Sequence, residues 1–392
     1  MQYAEENHHP LFNLGQMCRA YHACRKAKRN KPSALAFEVN LEENLTSLVN
    51  ELLERAYRPA TSICFYTVKP KRREIFAADF RDRVVHHLIY KEICRCWERV
   101  FIDQSYACRP GKGPHKAVLD LQKMLRKVTA NGRRRAYYLK LDIRNFFMTI
   151  DRLILYNLLL KKCSNPDLRW LLHTVIFHEP TKDFILQDRY RLRYGLPPHK
   201  SLFFASEYCG LPIGNLTSQF FANVYLNELD QFVKHKLNCR FYSRYVDDMI
   251  LLGTSIQELE EHERNIADFV SDRLHLNLNA KSRTVALVSG GVDFVGFIVR
   301  PSYILVRRRT LGNLKEKIRR MQRELVEERA ECTLYRFDHV KLQKFLATLN
   351  SYLGHLQYGR CNNFLIKLWQ SNGFLSIYFS FDLFFLFRRT SY

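Results

Sequence analysis

Two adjacent aspartates between two apolar runs constrain this chain more than any other feature. Asp247 and Asp248 lie in the stretch SRYVDDMILL, residues 243–252. The flanking runs, RFYSRYV and MILLG, leave room only for a tight turn, so the sequence predicts a β-hairpin with both acids at its tip. Aspartate is common in turns, and the dipeptide alone fits a turn without any chemical role. The surrounding sequence is needed to choose between these interpretations.

The chain is strongly basic and has the composition of a folded protein. It contains 62 Lys and Arg against 39 Asp and Glu, a formal net charge of +23 over 392 residues. A hydrophobic content of 47% argues against disorder. A basic surface indicates a polyanionic partner, and nucleic acid is favoured over an anionic membrane. The longest apolar stretch, 374–387, is interrupted by Asp382, and the first residues lack a secretory signal pattern. We therefore expect a cytoplasmic protein.

A third aspartate follows a predicted buried strand. Residues 133–151, RRRAYYLKLDIRNFFMTID, are rich in aromatic and branched side chains, and the predicted strand ends beside Asp142. If this strand lies next to the hairpin in one antiparallel sheet, Asp142, Asp247 and Asp248 converge. Carboxylates that lie so near one another raise each other's pKa values unless divalent cations neutralise their charge. Oxygen ligands suit Mg²⁺, and two such ions can stabilise the attacking and leaving oxygens of a phosphoryl displacement.

The rest of the chain predicts a mixture of helices and strands. We predict an amphipathic helix over 36–58, a strand-like segment that becomes helical after Asp79, and a helix opening near Lys116. Further helices are predicted within 211–235 and after Ser255, the latter running into a basic strand. Residues 291–310 predict a second hairpin, and 311–330 and 340–358 predict helices with basic faces.

Three motifs occur in an order that resembles the motif series of reverse transcriptases: LDIRNFF, GLPIGNLTSQFF and YVDD. The resemblance covers about residues 35 to 360 and lies within the group II intron-like branch, whose fingers motif SYACRPGKGPHKAV resembles. Within that branch, segments 73–89 and 196–230 and the motif YVDD look most like reverse transcriptases of diversity-generating retroelements. Such enzymes copy a template-repeat RNA into cDNA with misincorporation at template adenines, and the mutated cDNA replaces a variable region of a target gene.

The resemblance implies an α+β fold of the right-hand polymerase type. An N-terminal extension and fingers would span residues 1–135, a palm residues 136–303 with a fingers-side insertion around 158–205, and a helical thumb residues 304–392. The implied partners are template RNA, the RNA/cDNA duplex, dNTPs and a small basic, oligomeric accessory variability protein, with no membrane. Basic clusters at 133–135, 307–309 and 319–323 would hold the duplex through its phosphates.

The implied metal ligands are the carboxylates of Asp142, Asp247 and Asp248, with assistance from the backbone carbonyl of Ile143. They would hold two Mg²⁺ ions, for which Mn²⁺ is an alternative. Phe147, five residues after Asp142, matches the steric gate. An aromatic ring there would clash with a ribose 2′-hydroxyl and favour dNTPs over NTPs.

Further positions match residues that handle the nucleotide and the primer. Arg73 matches the fingers arginine that contacts the triphosphate, for which a planar guanidinium is suited. Lys281 matches the lysine that could protonate the leaving pyrophosphate as a general acid. The primer grip, which positions the attacking 3′-hydroxyl, is implied at Phe294, Val295 and Gly296.

The motif IGNLTSQ departs from most of the superfamily, which has a Gln-Gly start and a Ser-Pro end. Here Ile213 precedes Gly214, and Gln219 stands at the last place. All three are implied to lie at the nucleotide site. A Gln can hydrogen-bond near the incoming base pair, whereas Ile offers no polar group. Selection for correct pairing geometry should therefore be weaker.

Two alternatives stay open at this point. The chain could be a group II maturase-like or other retroelement reverse transcriptase of ordinary fidelity, against which Ile213 argues. It could also be a catalytically silent RNA-binding protein that keeps the fold, against which the three aspartates argue.

Overall fold

The computed structural model describes residues 11–381, apart from 27, 29, 69–70 and 188–194, together with 387–389. The first ten residues, seven residues of the predicted insertion and Asp382 lie outside these ranges. The chain forms two compact units. The first comprises the residues up to 111, 141–249 and 260–283, and the second comprises 112–140, 250–259 and the residues from 284 onward. The predicted boundaries at 135 and 303 stay a prediction.

The described chain contains both helices and strands, in short runs of each. The helices are α1 (Leu14–Arg25), α2 (Pro32–Val39), α3 (Leu41–Leu53), α4 (Phe80–Glu98), α5 (Pro114–Val128), α6 (Phe146–Thr149), α7 (Arg152–Leu160), α8 (Pro166–Ile176), α9 (Leu216–His235), α10 (Ile256–Leu274), α11 (Arg308–Leu325), α12 (His339–Leu356), α13 (Asn362–Gln370) and α14 (Leu375–Tyr378). The strands are β1 (Ser62–Thr67), β2 (Arg73–Ala77), β3 (Tyr137–Leu141), β4 (Phe184–Leu186), β5 (Phe241–Tyr245), β6 (Asp248–Gly253), β7 (Thr284–Leu287), β8 (Val292–Phe294), β9 (Phe297–Val299), β10 (Ile304–Val306), β11 (Val326–Glu328), β12 (Thr333–Tyr335), β13 (Phe379–Phe381) and β14 (Phe387–Arg389).

The described strands form two three-stranded sheets, one four-stranded sheet and two two-stranded sheets. The four-stranded sheet has the order β5-β6-β3-β7, and β3 pairs antiparallel with β7 so that Tyr137 faces Leu287. In the sheet β2-β1-β4, β1 is antiparallel to β2 and parallel to β4. This confirms the predicted mixture of helices and sheets, and the right-hand polymerase arrangement stays a prediction.

Helix α4 organises the first unit. The side chain of Asp79 caps its N-terminus by accepting a hydrogen bond from the backbone N–H of Arg81. Its buried face includes Leu88 and Ile89, both fully inaccessible to solvent, and it packs against α1 and α9. The predicted strand-to-helix change at Asp79 is therefore confirmed, as are the predicted helices α5 and α9.

The predicted single helix over 36–58 is wrong. The structure has two helices, α2 and α3, which Asn40 separates with φ −121° and ψ 53°. Asparagine competes with helical hydrogen bonding and is favoured at helix ends, so one residue suffices to divide the amphipathic pattern. Glu42 and Glu43 then lie in the first turn of α3, where negative charge is favourable.

The second unit differs from the prediction in two places. Residues 291–310 form three strands rather than a hairpin, because β9 pairs antiparallel with both β8 and β10. The predicted helix over 311–330 ends at Leu325. Residues 326–328 pair instead with Thr333–Tyr335, a β-prone segment that supplies backbone partners. The amphipathic pattern itself is confirmed, since Leu314, Ile318 and Met321 form the buried stripe of α11.

Near the end of the described chain, Leu375, Tyr378 and Phe379 are buried, as predicted for the start of the terminal apolar stretch. None of the helices described is both long enough and apolar enough to cross a membrane.

His86 is buried in the first unit with 5% of its surface exposed, and its Nδ1 lies 3.4 Å from Oγ1 of Thr217. Burial, together with the nearby His87, His178 and Arg83, lowers the pKa of His86 from 6.5 to about 3. The folded protein therefore holds this imidazole neutral under conditions in which an exposed one is charged.

Acidification is expected to destabilise the protein through His86. Because the folded-state pKa is depressed, the unfolded chain binds more protons between about pH 6.5 and 3. The stability contribution of neutral His86 is complete above about pH 6.5 and is lost as the pH falls through this window. His86→Gln removes the titration. Chemical denaturation measures the free energy of unfolding of each protein. As the pH falls from about 7 to 4.5, the wild type should lose on the order of 2 kcal/mol more of this free energy than the variant.

His22→Gln, on the exposed side of α1, is the matched control. Equal pH dependence in the two variants would contradict the assignment to His86.

Candidate active site

Asp142 follows the last residue of β3 and is held by Asn279. The backbone N–H of Asn279 donates to the carbonyl of Asp142 at 2.8 Å, and its Nδ2 donates to Oδ2 of Asp142 at 2.9 Å. The same Nδ2 lies 2.8 Å from Oγ of Ser282. Asn279 therefore fixes both the backbone and one carboxylate oxygen of Asp142. The sequence analysis missed this residue, whose only signal is a polar side chain beside Lys281.

Asp247 lies at the tip of the hairpin formed by β5 and β6, and Asp248 begins β6. The predicted hairpin is confirmed. Val246 at the tip has φ +57°, a left-handed conformation that is unusual for a β-branched residue. Nη1 of Arg244 donates to the carbonyl of Val246 at 2.8 Å. The hydrogen bond from Arg244 thus stabilises the turn that carries Asp247.

Arg244 belongs to a fully buried ion pair that the sequence analysis also missed. Arg244 and Asp230 are both 0% exposed. Nε and Nη2 of Arg244 donate to the two carboxylate oxygens of Asp230 at 2.8 and 2.6 Å. Tyr242 adds a hydrogen bond to Asp230 at 2.9 Å, and Oγ of Ser105 accepts from Arg244 at 3.0 Å. This two-point geometry is the strong form of a guanidinium–carboxylate contact.

The acids of the hairpin and of β3 interact. Burial raises the pKa of Asp247 from 3.8 to about 7, and the charges of Asp142 and Asp248, with a hydrogen bond to Asp142, act in the same direction. Two carboxylates this close resist joint ionisation, which a divalent cation would relieve. The described residues contain no group of three Asp, Glu, His or Cys side chains already arranged in metal-binding geometry. The donor set nevertheless has the oxygen chemistry that Mg²⁺ prefers.

Ile143 has a backbone arrangement that bears on its implied role. It forms an isolated antiparallel bridge with Leu278. The two hydrogen bonds that flank this bridge use the carbonyl of Asp142 and the N–H of Arg144. Neither uses the carbonyl of Ile143, which is the oxygen predicted to assist metal binding.

The IGN segment lies against strand β2. The N–H of Phe76 donates to the carbonyl of Ile213 at 3.0 Å. Gly214 has φ +131°, and a Cβ atom there would meet Cγ2 of Ile75 at 2.8 Å, so this position requires glycine. Arg73 is exposed at the start of the same strand and alternates onto the face of Ile75. The predicted triphosphate arginine is therefore on the same strand face as Ile75, beside which Gly214 lies.

Ile213 and Phe147 pack against one hydrophobic cluster. Both are half-buried, and the cluster comprises Cys64, Tyr66, Phe76, Met148 and Leu202. Phe147 lies in α6 with its ring centroid 5.4 Å from that of Phe146, and its carbonyl accepts from the N–H of Leu211 at 2.8 Å. The predicted gate and the predicted fidelity position thus share their packing environment.

Lys281 and Gln219 are exposed. Lys281 lies two residues beyond Asn279, in the single helical turn Ala280–Ser282. Gln219 lies in the first turn of α9, where its Oε1 accepts a weak hydrogen bond from Sγ of Cys108 at 3.4 Å.

The predicted primer grip forms the turn between β8 and β9 in the second unit. Phe294 is buried and pairs with Phe297. Val295 and Gly296 make the turn with φ +39° and +95°. The roles predicted for all these residues stay predictions.

An acidic site on a hairpin and an adjoining strand end, in a strongly basic chain of helices and sheets, has the donor chemistry of metal-assisted phosphoryl transfer, the reaction type of nucleotidyltransferases. The family described as reverse transcriptase (RNA-dependent DNA polymerase) matches residues 68–299, more than half of the chain. The chain belongs to the reverse transcriptase family. It is an RNA-directed DNA polymerase, which uses template RNA and nucleotide substrates.

Three curated relatives are distant. Protein YkfC of Escherichia coli (strain K12) is 23% identical over 308 residues, which cover 70% of this chain and 74% of that protein. The group II intron-encoded protein LtrA of Lactococcus lactis subsp. cremoris is 25% identical over 195 residues, covering 49% of this chain and 28% of LtrA. An uncharacterized 91 kDa protein in cob intron of Schizosaccharomyces pombe is 22% identical over 195 residues, or 50% of this chain and 21% of that protein. The chain therefore spans less than a third of either intron protein.

Proposed function

We propose that this enzyme is the reverse transcriptase of a diversity-generating retroelement. It copies a template-repeat RNA into cDNA with errors concentrated at template adenines, and the cDNA diversifies a target gene. The observation that carries the proposal is Ile213, which stands where most of the superfamily has Gln and which packs against an apolar cluster.

Ile213 supports low fidelity for a simple chemical reason. Its side chain has no donor or acceptor, and its carbonyl is already engaged by the N–H of Phe76. A polar contact that tests the shape of the nascent base pair is worth roughly 1–1.5 kcal/mol, or about five- to tenfold in discrimination. With Ile213 in this place, that contact is absent and apolar packing alone supports the nucleotide.

The acidic site would hold two Mg²⁺ ions, or Mn²⁺ in their place. Asp142, Asp247 and Asp248 would supply carboxylate oxygens, and the carbonyl of Ile143 would supply one more. When bound, the ions would stabilise the attacking and leaving oxygens of nucleotidyl transfer.

Other residues would act on the nucleotide directly. Arg73 would hold triphosphate oxygens with its planar guanidinium, and Lys281 would protonate the leaving pyrophosphate. Phe147 would exclude the ribose 2′-hydroxyl by its bulk, with the apolar cluster behind it keeping the ring in place.

The wider assembly follows from the same proposal. Residues 1–135 would form the N-terminal extension and fingers, 136–303 the palm and 304–392 the thumb of a right hand. The enzyme would hold the RNA/cDNA duplex, work in the cytoplasm and act with a small basic, oligomeric accessory variability protein.

Ile213→Gln is expected to lower misincorporation opposite template adenine roughly tenfold while sparing the other template bases. The reason is that Gln restores a polar group beside the base pair. The measurement is primer extension on an RNA template with Mg²⁺ and dNTPs, followed by sequencing of the cDNA. Ile213→Leu is the matched control, because it keeps an apolar side chain of the same size.

The outcomes separate the alternatives. Accurate cDNA from the wild-type enzyme would indicate an ordinary retroelement reverse transcriptase. Adenine errors that are equal in the Gln and Leu variants would mean that Ile213 is not their cause. No product, even with the cognate RNA and the accessory protein, would favour a silent RNA-binding protein.

A further inference from the structure

An open pocket of about 400 Å³ lies in the second unit, and none of its lining residues is assigned to the acidic site. It is formed where α5 ends and where the loop after β9 passes. The residues that matter are Arg126, Asn131, Ser289, Arg300, Ser302 and Tyr303. We call it the Tyr303 pocket.

Several side chains that line this pocket can donate hydrogen bonds. Nε of Arg126 donates to the carbonyl of Pro301 at 2.7 Å, which ties the side chain to the pocket wall. The terminal amino groups of this exposed guanidinium have no other partner in the described chain. The side chains of Asn131, Ser289 and Ser302 add an amide and two hydroxyl groups to the lining.

Tyr303 offers its hydroxyl group rather than its ring. Nη1 of Arg300 donates to the Tyr303 oxygen at 2.7 Å, so the hydroxyl proton is available to a further acceptor. The guanidinium carbons of Arg300 and Arg360 lie over the ring, 5.3 and 5.2 Å from its centroid. The face of the Tyr303 ring is thus already in contact with two guanidinium groups, which leaves little of it for stacking with a nucleobase.

The positive charge here is not neutralised. No Asp or Glu lines the pocket. Neither Arg126, Arg300 nor Arg360 makes an ion pair with any described residue, and Nε of Arg300 is buried without an acceptor. Guanidinium groups that lie near one another without a carboxylate partner favour binding of an anion. Their planar arrangement of N–H donors matches the oxygens of a phosphate group.

We propose that the Tyr303 pocket binds a backbone phosphate of the RNA that this enzyme copies. A phosphodiester fits because the pocket supplies charge and donors but no free aromatic face for a base. Arg126 would contact the phosphate with its terminal amino groups, and Tyr303, Ser289 and Ser302 would donate their hydroxyl protons. The pocket would anchor the template independently of its sequence. This inference rests on membership of the reverse transcriptase family and not on adenine-directed errors, so failure of the Ile213 test leaves it intact.

The test compares RNA affinity and turnover in two variants of the full chain. Arg126→Ala removes the free guanidinium, and Ser302→Asp places a carboxylate in the pocket. Affinity for a fluorescent template RNA, measured by anisotropy over a range of salt concentrations, should fall by roughly tenfold for each variant. For Arg126→Ala the slope of log affinity against log salt should decrease by about 0.7 to 0.9, the value of one phosphate contact. The kcat at saturating RNA and dNTP should be unchanged.

Arg95→Ala, which removes an exposed arginine from α4, is the matched control. Melting temperatures of all variants exclude unfolding as the cause of lost binding. Wild-type affinity and slope in both pocket variants would overturn the proposal, as would an equal loss in Arg95→Ala. A kcat that falls in parallel with the affinity would also overturn it, because the pocket would then take part in the reaction itself.

Discussion

Replacing Asp247 by asparagine is expected to reduce primer extension by at least about 10³-fold, or roughly 4 kcal/mol in the activation barrier. Asparagine keeps the size of the side chain and removes one of the charges that would hold divalent ions. The measurement is the rate of cDNA synthesis on an RNA template at saturating Mg²⁺ and dNTP. Asp272→Asn, an exposed position on α10, is the matched control and should keep wild-type activity.

Stability measured without divalent ions separates catalysis from folding in this variant. The folded-state pKa of Asp247 is raised to about 7 from 3.8, so its contribution to stability is complete below about pH 3.8 and is lost as the pH rises through 7. At about pH 8 the ionised carboxylate of Asp247 destabilises the folded state, whereas a neutral asparagine does not. The variant should therefore melt no lower than the wild type. Retained primer extension would mean that Asp247 is not needed for the chemistry, and a collapsed melting temperature would mean that it is structural.

Local pattern predicted the elements that carry the acids. The runs on either side of Asp247 and Asp248 have strand composition and too few residues between them for anything but a turn, and β5 and β6 follow from this. The strand before Asp142 is recognisable from its aromatic and branched residues for the same reason. These predictions depend on neighbours in sequence, and this is why they were correct.

Contacts between distant segments could not be predicted in this way. Asn279 binds Asp142 across 137 positions of sequence, and nothing in the pattern around Asn279 indicates it. Arg244 and Asp230 are charged residues, which are almost never fully buried unless they are paired, so their burial depends on each other. For the same reason the sequence did not predict the third strand of the β8-β9-β10 sheet, because β10 forms only by pairing with β9.

The second large effect is expected at the ion pair of Arg244 and Asp230. Asp230→Asn leaves a guanidinium that is buried and has lost its countercharge, at a cost of about 3–5 kcal/mol. This is a large share of a typical folding free energy of about 5–15 kcal/mol. Urea unfolding should therefore show a much lower midpoint. Arg244→Met should be comparably destabilising, because it leaves the carboxylate of Asp230 uncompensated.

The double variant Arg244→Met with Asp230→Leu is the control for charge. It removes both ions and replaces them with apolar side chains, so it should be more stable than either single variant. Additive losses in the double variant would contradict the view that the cost of each single change is an unpaired buried charge.

Measuring cDNA synthesis then distinguishes two roles of Arg244, namely stabilising the fold and positioning the turn that carries Asp247. Arg244 also donates to the carbonyl of Val246, whose left-handed backbone directly precedes Asp247. The double variant regains stability but cannot make this hydrogen bond. If the bond positions Asp247, cDNA synthesis by the folded double variant should stay at least about tenfold below wild type, since small displacements of catalytic groups are costly. Full recovery of activity together with stability would instead mean that the hairpin positions Asp247 without Arg244, and that the ion pair serves folding alone.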